Sequence, residues 1–189
     1  MGIHALTNQA PDLRNRIKTS VKVTNIKSGA IVETIGVWDT GAQCSVIRHD
    51  LADKIGLEAV GMKTIIGVQS KEDRPYYYAN VKLNNEQITM DINITDVDAF
   101  SSDADEGMLI GMDIIGQGDF SVSNFNGRTT MTFRVPSQKE IDYCEEVRLY
   151  NRYLKIYEAR KKHGNELCPC GSGKNFMQCH GKIVEWNPL

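Results

Sequence analysis

The chain has 189 residues, of which 41% are hydrophobic and 24% charged, and its 22 Lys and Arg nearly balance its 24 Asp and Glu. A formal charge of −2 creates no overall field that would hold a nucleic acid or an anionic membrane. No apolar run approaches the roughly 18 residues of a membrane-spanning helix, and the first residues lack the basic and apolar stretches of a signal peptide. We therefore expect neither a membrane nor a specific nucleic acid among its partners.

The first 18 residues are polar and mixed in character, which predicts a flexible N-terminal arm. From residue 19 to 136, short β-branched segments alternate with turn residues, a pattern typical of a small β domain. The acidic stretch from Asp91 to Glu106 is expected to be a solvated loop. The predicted elements are a hairpin over 21–37, a short helix over 48–57, strands over 63–69, 76–83 and 88–94, an apolar segment over 108–115 and a second hairpin over 120–135.

After Pro136 the hydrophobic period changes to that of a helix, and residues 137–164 are predicted to form a helical linker. Ser137 with Glu140 three residues later predicts a capping box at its start, and Gly164 predicts its end. This stripe can pack on the β domain of its own chain or on the same helix of a second subunit. Its apolar positions have alternating four- and three-residue spacing: Tyr143, Val147, Tyr150, Leu154 and Tyr157.

The segment Val37-Trp38-Asp39-Thr40-Gly41-Ala42 places a carboxylate where an apolar strand breaks into a turn. Such a carboxylate is held rigidly and is partly desolvated, and the N–H groups of the turn are available to it as donors. Asp39 is therefore a candidate catalytic group. The same tetrapeptide is also compatible with an ordinary turn in which the Asp side chain bonds its own backbone.

Two further segments accompany this turn. The run Asp39 to Ile47 (DTGAQCSVI) is followed about 70 residues later by Met108 to Ile115 (MLIGMDII), with a glycine-containing hairpin region over 65–69 between them. In their order and spacing these segments resemble the retropepsin-like aspartic proteases, and the resemblance covers residues 19–136. It implies a mainly β fold, a retropepsin-like closed β barrel, which the α-helix predicted for residues 137–164 then follows.

The resemblance also implies a chemistry. The chain supplies one Asp-Thr-Gly, whereas the reaction needs two facing carboxylates, so we expect a homodimer with Asp39 of each subunit at the two-fold axis. A water activated by the pair would hydrolyse a bond of a peptide or protein substrate. Asp113 is expected to be structural, at a helix start, rather than the second member of the pair. The implied site comprises the catalytic Asp39, Thr40 and Gly41 and the substrate-binding Ala42, Gly67, Val68 and Gln69.

A cysteine and histidine cluster lies near the C-terminus. Cys168, Cys170, Cys179 and His180 offer three thiolates and one imidazole within 13 positions, and four such ligands suit a closed, structural Zn²⁺ site. The surrounding residues resemble the SEC-C motif, the zinc-binding tail of the preprotein-export ATPase, over 165–183, and leave a tail of 184–189. The motif implies docking of a protein partner such as a chaperone, the export machinery or the ribosome. Alternatively, zinc merely folds a tail too small for its own core.

The chain has five cysteines, an odd number, and three of them cluster with a histidine. This pattern indicates a reducing compartment, and we expect the bacterial cytoplasm. Two functions follow from the sequence. The first is a homodimeric aspartic endopeptidase with a C-terminal zinc knuckle. The second is a catalytically inactive dimeric adaptor that binds protein partners through the SEC-C zinc motif.

Overall fold

The computed structural model of the protein describes residues 2–66, 71–84 and 87–182. The chain divides into two units, Met1–Lys139 and Glu140–Leu189. None of the helices in the described ranges is long and apolar enough to cross a membrane. The described elements are β1 (His4–Gln9), β2 (Lys18–Asn25), β3 (Ile31–Trp38), β4 (Val46–Arg48), α1 (His49–Lys54), β5 (Gly61–Ile66), β6 (Lys71–Leu83), β7 (Thr89–Val97), β8 (Glu106–Ile110), α2 (Met112–Ile115), β9 (Asp119–Ser123), β10 (Thr130–Val135), α3 (Tyr143–His163) and two 3₁₀ turns, Phe125–Gly127 and Phe176–Gln178.

Most strands of the first unit form a closed barrel. They pair in the order β2-β3-β8-β4-β7-β6, and β6 pairs again with β2, with Val81 opposite Val23. Most neighbours are antiparallel, but β3 runs parallel to β8 and β4 runs parallel to β7. β5 extends the sheet beyond β6. The strand pairing therefore confirms the predicted mainly β fold with a closed barrel.

The barrel interior is filled by apolar side chains that alternate along the strands. In β2, for example, every second residue from Thr19 to Asn25 is buried, as the predicted alternation requires. Burial of one large aliphatic side chain contributes about 1.5–3 kcal/mol, so this layer is the main source of stability. The side chains with no exposed surface include Val23, Ile47, Ala79, Ile94, Met108, Ile110, Ile114 and Phe133.

The N-terminal residues form a strand. β1 pairs antiparallel with β10, from His4 opposite Val135 to Gln9 opposite Thr130, and β9 lies on the other side of β10. Leu6 of β1 is buried in the hydrophobic core. The expectation of a flexible arm is therefore wrong for His4–Gln9. The partner strand lies more than 120 residues away, so the local composition gave no sign of the pairing.

The acidic stretch is also not a solvated loop throughout. Residues up to Val97 belong to β7, and both Asp96 and Glu106 are only 1% exposed. A buried carboxylate requires charge or hydrogen-bond partners, and both residues have them. The partners come from distant segments: Tyr77 Oη (2.8 Å) and His49 Nδ1 (2.6 Å) for Asp96, and Arg16 (2.7 Å) and Lys18 (2.6 Å) for Glu106.

The second unit begins with α3, whose first turn is capped by Asp142. Its side chain accepts hydrogen bonds from the N–H groups of Cys144 (2.8 Å) and Glu145 (3.3 Å). The predicted capping box at Ser137 is therefore wrong. Ser137 Oγ instead donates to Asp119 at 2.5 Å and so is engaged with β9. Gly164 follows the last helical residue, as predicted.

Candidate active site and metal centre

Asp39 is the first residue beyond the end of a barrel strand. β3 and β8 run parallel, and their last paired residues are Trp38 and Ile110. The N–H of Asp39 donates to the carbonyl of Ile110 at 2.9 Å, so the strand pairing continues to the residue that carries the carboxylate. Asp39 is half-buried, whereas Thr40 and Gly41 are exposed. The carboxylate therefore has a rigid backbone and an accessible side.

Trp38 anchors the strand that carries this carboxylate. Its ring is buried and stacks on Phe120 of β9, with the ring centroids 5.0 Å apart. It also packs against Phe133 of β10 at 5.1 Å, with the rings tilted by 59°. Aromatic pairs in these arrangements are favourable beyond their buried area. The end of β3 is thus fixed against the sheet that contains the N-terminal strand.

The turn after Asp39 is held by its own hydrogen bonds. The N–H of Gly41 donates to Asp39 Oδ1 at 2.8 Å, and the N–H of Ala42 donates to the Asp39 carbonyl at 3.2 Å. Ala42 accepts in turn from the N–H of Met112 at 2.8 Å. In the described ranges Asp39 Oδ2 has no hydrogen-bond donor. One carboxylate oxygen is therefore oriented by the loop, and the other is available to a further group.

A second carboxylate, that of Asp113, braces the loop that follows Asp39. Both oxygens of Asp113 lie 3.0 Å from the N–H of Ser45, and the Ser45 hydroxyl donates to Asp113 Oδ1 at 2.7 Å. The N–H of Gly111 donates to Ser45 Oγ at 3.0 Å. A Cβ on Gly111 would lie 2.6 Å from the carbonyl carbon of Cys44, so only glycine permits this approach. These contacts agree with the structural role expected for Asp113.

Ser45 is a site residue that the sequence reasoning missed. It is fully buried, although it is polar and directly precedes the apolar Val46 and Ile47. A lone hydroxyl beside a buried strand is a signal that could have identified it, because such a group must find a partner inside the protein.

We expect Asp113→Ala to destabilise the first unit by about 2–3 kcal/mol, because it leaves the buried Ser45 N–H and hydroxyl without their acceptor. The midpoint of denaturant unfolding measures the change. Asp91→Ala, which removes an exposed carboxylate from β7, is the matched control and should cost no more than about 0.5 kcal/mol. Equal midpoints for the two variants would contradict the bracing role.

The predicted substrate-binding residues are only partly described. Ala42 lies in the Asp39 turn, as stated above. β5 and β6 form an antiparallel pair from Gly61 opposite Tyr76 to Ile66 opposite Lys71, which places the two arms of a hairpin where the sequence predicts one. The remaining three residues of the prediction lie outside the described residues: Gly67, Val68 and Gln69.

The four predicted metal ligands come together in the second unit. One ligand atom from each of Cys168, Cys170, Cys179 and His180 lies within 4.8 Å of all the others. The separations include 3.2 Å for Cys168 Sγ to His180 Nδ1, 3.4 Å for Cys179 Sγ to the same nitrogen, and 3.5 Å between the sulfurs of Cys170 and Cys179. Metal–ligand bonds of about 2.0–2.3 Å in a tetrahedron place neighbouring ligand atoms about 3.3–3.8 Å apart. The donor set therefore fits a tetrahedral metal.

The backbone around the cluster brings the two ligand pairs together. Gly171 and Gly173 have φ values of +75° and +70°, a conformation that favours glycine. The N–H of Cys168 donates to the carbonyl of Lys174 at 2.8 Å, which closes the loop. A hydrogen bond from the N–H of Cys170 holds the pKa of the Cys168 thiol below its usual value, which favours the ligating thiolate.

Ser172 is a second residue that the sequence reasoning did not single out. Its hydroxyl donates to Cys179 Sγ at 3.4 Å, and its hydrogen bond to Cys170 lowers the pKa of that thiol. Donors of this kind orient metal ligands and stabilise their charge. Its position between the two glycines of the loop is the signal that could have identified it.

The C-terminal unit is similar in sequence to known proteins. The family profile described as the SEC-C motif matches residues 165–182. Residues 165–182 are a SEC-C motif. A protein translocase subunit SecA of Delftia acidovorans is 40% identical over 53 residues, 28% of this chain, and one of Alcanivorax borkumensis is 61% identical over 28 residues, 15% of this chain. The matches span only 5% and 3% of those proteins.

The solved structures to which this chain is similar include two proteases. A retropepsin-like aspartic protease from Rickettsia conorii has a TM-score of 0.47 and 12% identity, over 71% of this chain and 96% of that one. The Simian Foamy Virus (mac) protease has a TM-score of 0.38 and 10% identity, over 53% and 92%. The fold assignment above depends on the strand pairing of this chain.

Proposed function

We propose that the protein is an aspartic endopeptidase whose active site forms between two identical subunits, each of which contributes Asp39. The observation that carries the proposal is the geometry of the Asp39 turn. A half-buried carboxylate sits at the end of a barrel strand, with one oxygen bonded to the Gly41 N–H at 2.8 Å and its neighbours Thr40 and Gly41 exposed. An exposed backbone beside a rigid carboxylate can accept the same segment of a second subunit.

The proposed reaction uses the two carboxyl groups as one unit. Two carboxylates about 3 Å apart cannot both ionise easily and share a proton, for which the aspartic-protease pair is the standard example. The ionised group takes a proton from a water, and this water attacks the carbonyl carbon of the peptide bond. The protonated group donates to the carbonyl oxygen. The group that took the proton from the water then passes it to the amine nitrogen as the C–N bond breaks, and the other group takes back a proton from the diol. The reaction forms no covalent intermediate with the protein.

Other residues of the chain would position these groups. The Gly41 N–H fixes the orientation of Asp39, and the Asp113–Ser45 brace fixes the turn. Ala42 and the flap residues Gly67, Val68 and Gln69 would contact the substrate backbone. The resemblance supports these substrate contacts.

We further infer that the metal of the SEC-C motif is Zn²⁺, because three thiolates and one imidazole suit zinc and leave no open position for a reaction. The zinc would be structural. The motif would dock a protein partner, with the exposed Leu167 and Met177 as its apolar contacts. The five cysteines are unpaired and the metal ligands require reduced thiols, which supports a cytoplasmic location.

The proposal is tested by incubating the purified, zinc-loaded dimer with a peptide library and identifying the products by mass spectrometry. We expect internal cleavage that is blocked by a statine-containing peptide, since its hydroxyl mimics the attacking water between the two carboxyl groups. Internal cleavage that survives saturating inhibitor would contradict the proposed chemistry.

A second function, a dimeric adaptor that does not cleave peptides, is favoured by the separate C-terminal unit with its SEC-C motif. It predicts that the wild-type dimer cleaves nothing in the library and still binds a protein partner. Cys179→Ser would then abolish the binding, because the knuckle would lose its metal. Cleavage that depends on Asp39 would show that the protein is not solely an adaptor.

A further inference from the structure

α3 presents an apolar stripe along one side. The helix has 21 residues and is therefore about 31 Å long, and none of its residues is buried. An exposed apolar stripe of this length is unusual in an isolated soluble helix and indicates an interaction surface. The exposed fractions along it are Tyr143 62%, Val147 54%, Tyr150 40%, Leu154 36% and Tyr157 47%.

The charges of α3 are distributed asymmetrically. Glu145 and Glu146 lie in the first turn, and the last turn contains the basic residues Arg160, Lys161, Lys162 and His163. Two copies that pair antiparallel place the acidic end of each against the basic end of the other, and their helix dipoles also oppose. Two parallel copies instead place like charges together. The charge distribution therefore favours a second copy of this helix in the antiparallel direction.

The spacing of the stripe and the length of the helix overlap together select the register of such a pair. Two antiparallel copies centred on Arg152, near the middle of the helix, place Val147 against Tyr157 of the partner subunit and Tyr150 against Leu154 of the partner subunit. The four apolar positions from Val147 to Tyr157 are then covered, Tyr143 lies opposite Lys161 of the partner subunit, and the overlap extends over nearly the whole helix. Val147 and Leu154 occupy one kind of heptad core position, and Tyr150 and Tyr157 occupy the other. Packing of one kind against the other is what antiparallel coiled coils use.

The same register creates two salt bridges beside the apolar seam. Glu146 flanks the seam and faces Arg160 of the partner subunit, and symmetry repeats the contact. In the described part of the chain neither Glu146 nor Arg160 forms an ion pair, so both are available. In a parallel pair Glu146 faces Asn151 of the partner subunit instead, and the seam gains no pair of opposite charges.

We propose that α3 is a dimerisation helix that pairs antiparallel with the α3 of a second copy, through its apolar stripe and reciprocal Glu146–Arg160 salt bridges. The pairing is symmetric about a two-fold axis, so it closes at two subunits. It does not depend on proteolysis and would hold for an adaptor as well. Joining two chains in this way would raise the effective concentration of one barrel for the other and so favour their association.

Charge reversal tests the pairing. In the full-length, zinc-loaded chain we expect Glu146→Arg or Arg160→Glu to weaken dimerisation at least about tenfold at low ionic strength, because each creates two like-charge contacts per dimer. The double variant restores two attractive pairs and should return to within about threefold of the wild type. Sedimentation over a concentration series measures the dissociation constants.

Matched controls separate pairing from helix stability. Glu145→Arg changes the same charge in the same turn, and Arg152→Glu changes an outward-facing cation, so both should leave dimerisation within about threefold of the wild type. Loss of dimerisation in the controls to the same extent as in the seam variants would overturn the proposal. A double reversal that fails to recover would also overturn it.

A crosslink tests the direction of pairing. Asn151 lies beside the seam near the two-fold axis, so Asn151→Cys in a Cys144→Ser background should crosslink to its own copy through a short bismaleimide. Native Cys144 should not crosslink to Cys144 of the partner subunit, because the antiparallel arrangement separates the two by about 24 Å along the helix axis. Crosslinking at 144 as well as at 151 would mean a parallel pair, in which each position lies level with its own copy. No crosslink at either position would mean that the stripe packs elsewhere, and both results overturn the proposal.

Discussion

Asp39→Asn is expected to reduce peptide cleavage at least about a thousandfold while leaving the fold intact. Removal of a general acid–base group typically costs 10²- to 10⁴-fold, and in a symmetric dimer one substitution changes both members of the pair. The amide oxygen of Asn can still accept the hydrogen bond that Gly41 donates to Asp39 Oδ1 at 2.8 Å. The turn should therefore keep its conformation. Initial rates on the best library peptide measure the effect.

Two measurements make this result interpretable. The unfolding midpoint of Asp39→Asn should stay within about 0.5 kcal/mol of the wild type, so that lost activity cannot reflect lost structure. Asp91→Asn makes the same chemical change at an exposed carboxylate of β7 and should keep full activity. If Asp39→Asn cleaved as fast as Asp91→Asn, the catalytic assignment of Asp39 would be wrong.

Removal of the metal is expected to unfold the C-terminal knuckle. A structural zinc site of this size contributes on the order of 10 kcal/mol to folding, far more than so few buried side chains can supply. Cys179→Ser should therefore bind zinc at least about a hundredfold more weakly. The amides of residues 166–181 should also lose their protection from hydrogen exchange. The barrel belongs to a separate unit, so its exchange should be unchanged.

Cys144→Ser is the control for this prediction. Cys144 is exposed in the first turn of α3 and is not one of the four ligands. This variant should keep one zinc per chain and the same exchange pattern. Full zinc occupancy in Cys179→Ser at equal free zinc would show that the cluster is not the metal site.

Local sequence signals were sufficient for most of the barrel strands and for the cysteine and histidine cluster. β2 follows the predicted alternation along its length, because one of its faces is buried, whereas β3 alternates only in its first half and its last three residues are all buried. The four ligands of the knuckle lie within 13 positions, so their chemistry is visible in the spacing. The Asp39 turn was identifiable for the same reason. The knuckle cluster and the Asp39 turn are each defined by residues near to one another in the chain.

The missed features depend on partners from distant segments. β1 is a strand because it pairs with β10. Asp96 and Glu106 are buried because Tyr77 of β6 and Arg16 of the segment before β2 reach them. Ser137 does not cap α3 because Asp119 accepts its hydroxyl. Each outcome depends on a contact over a long sequence separation, which neither periodicity nor composition records.

Each subunit is proposed to hold half of a catalytic centre, and subunit mixing tests this arrangement most directly. Wild-type and Asp39→Asn chains are mixed in equal amounts, allowed to exchange, and assayed at constant total protein. Random exchange leaves about a quarter of the dimers with two Asp39 residues, so the account predicts about a quarter of the wild-type rate. A rate of about one half would mean that each chain works alone and would contradict the account.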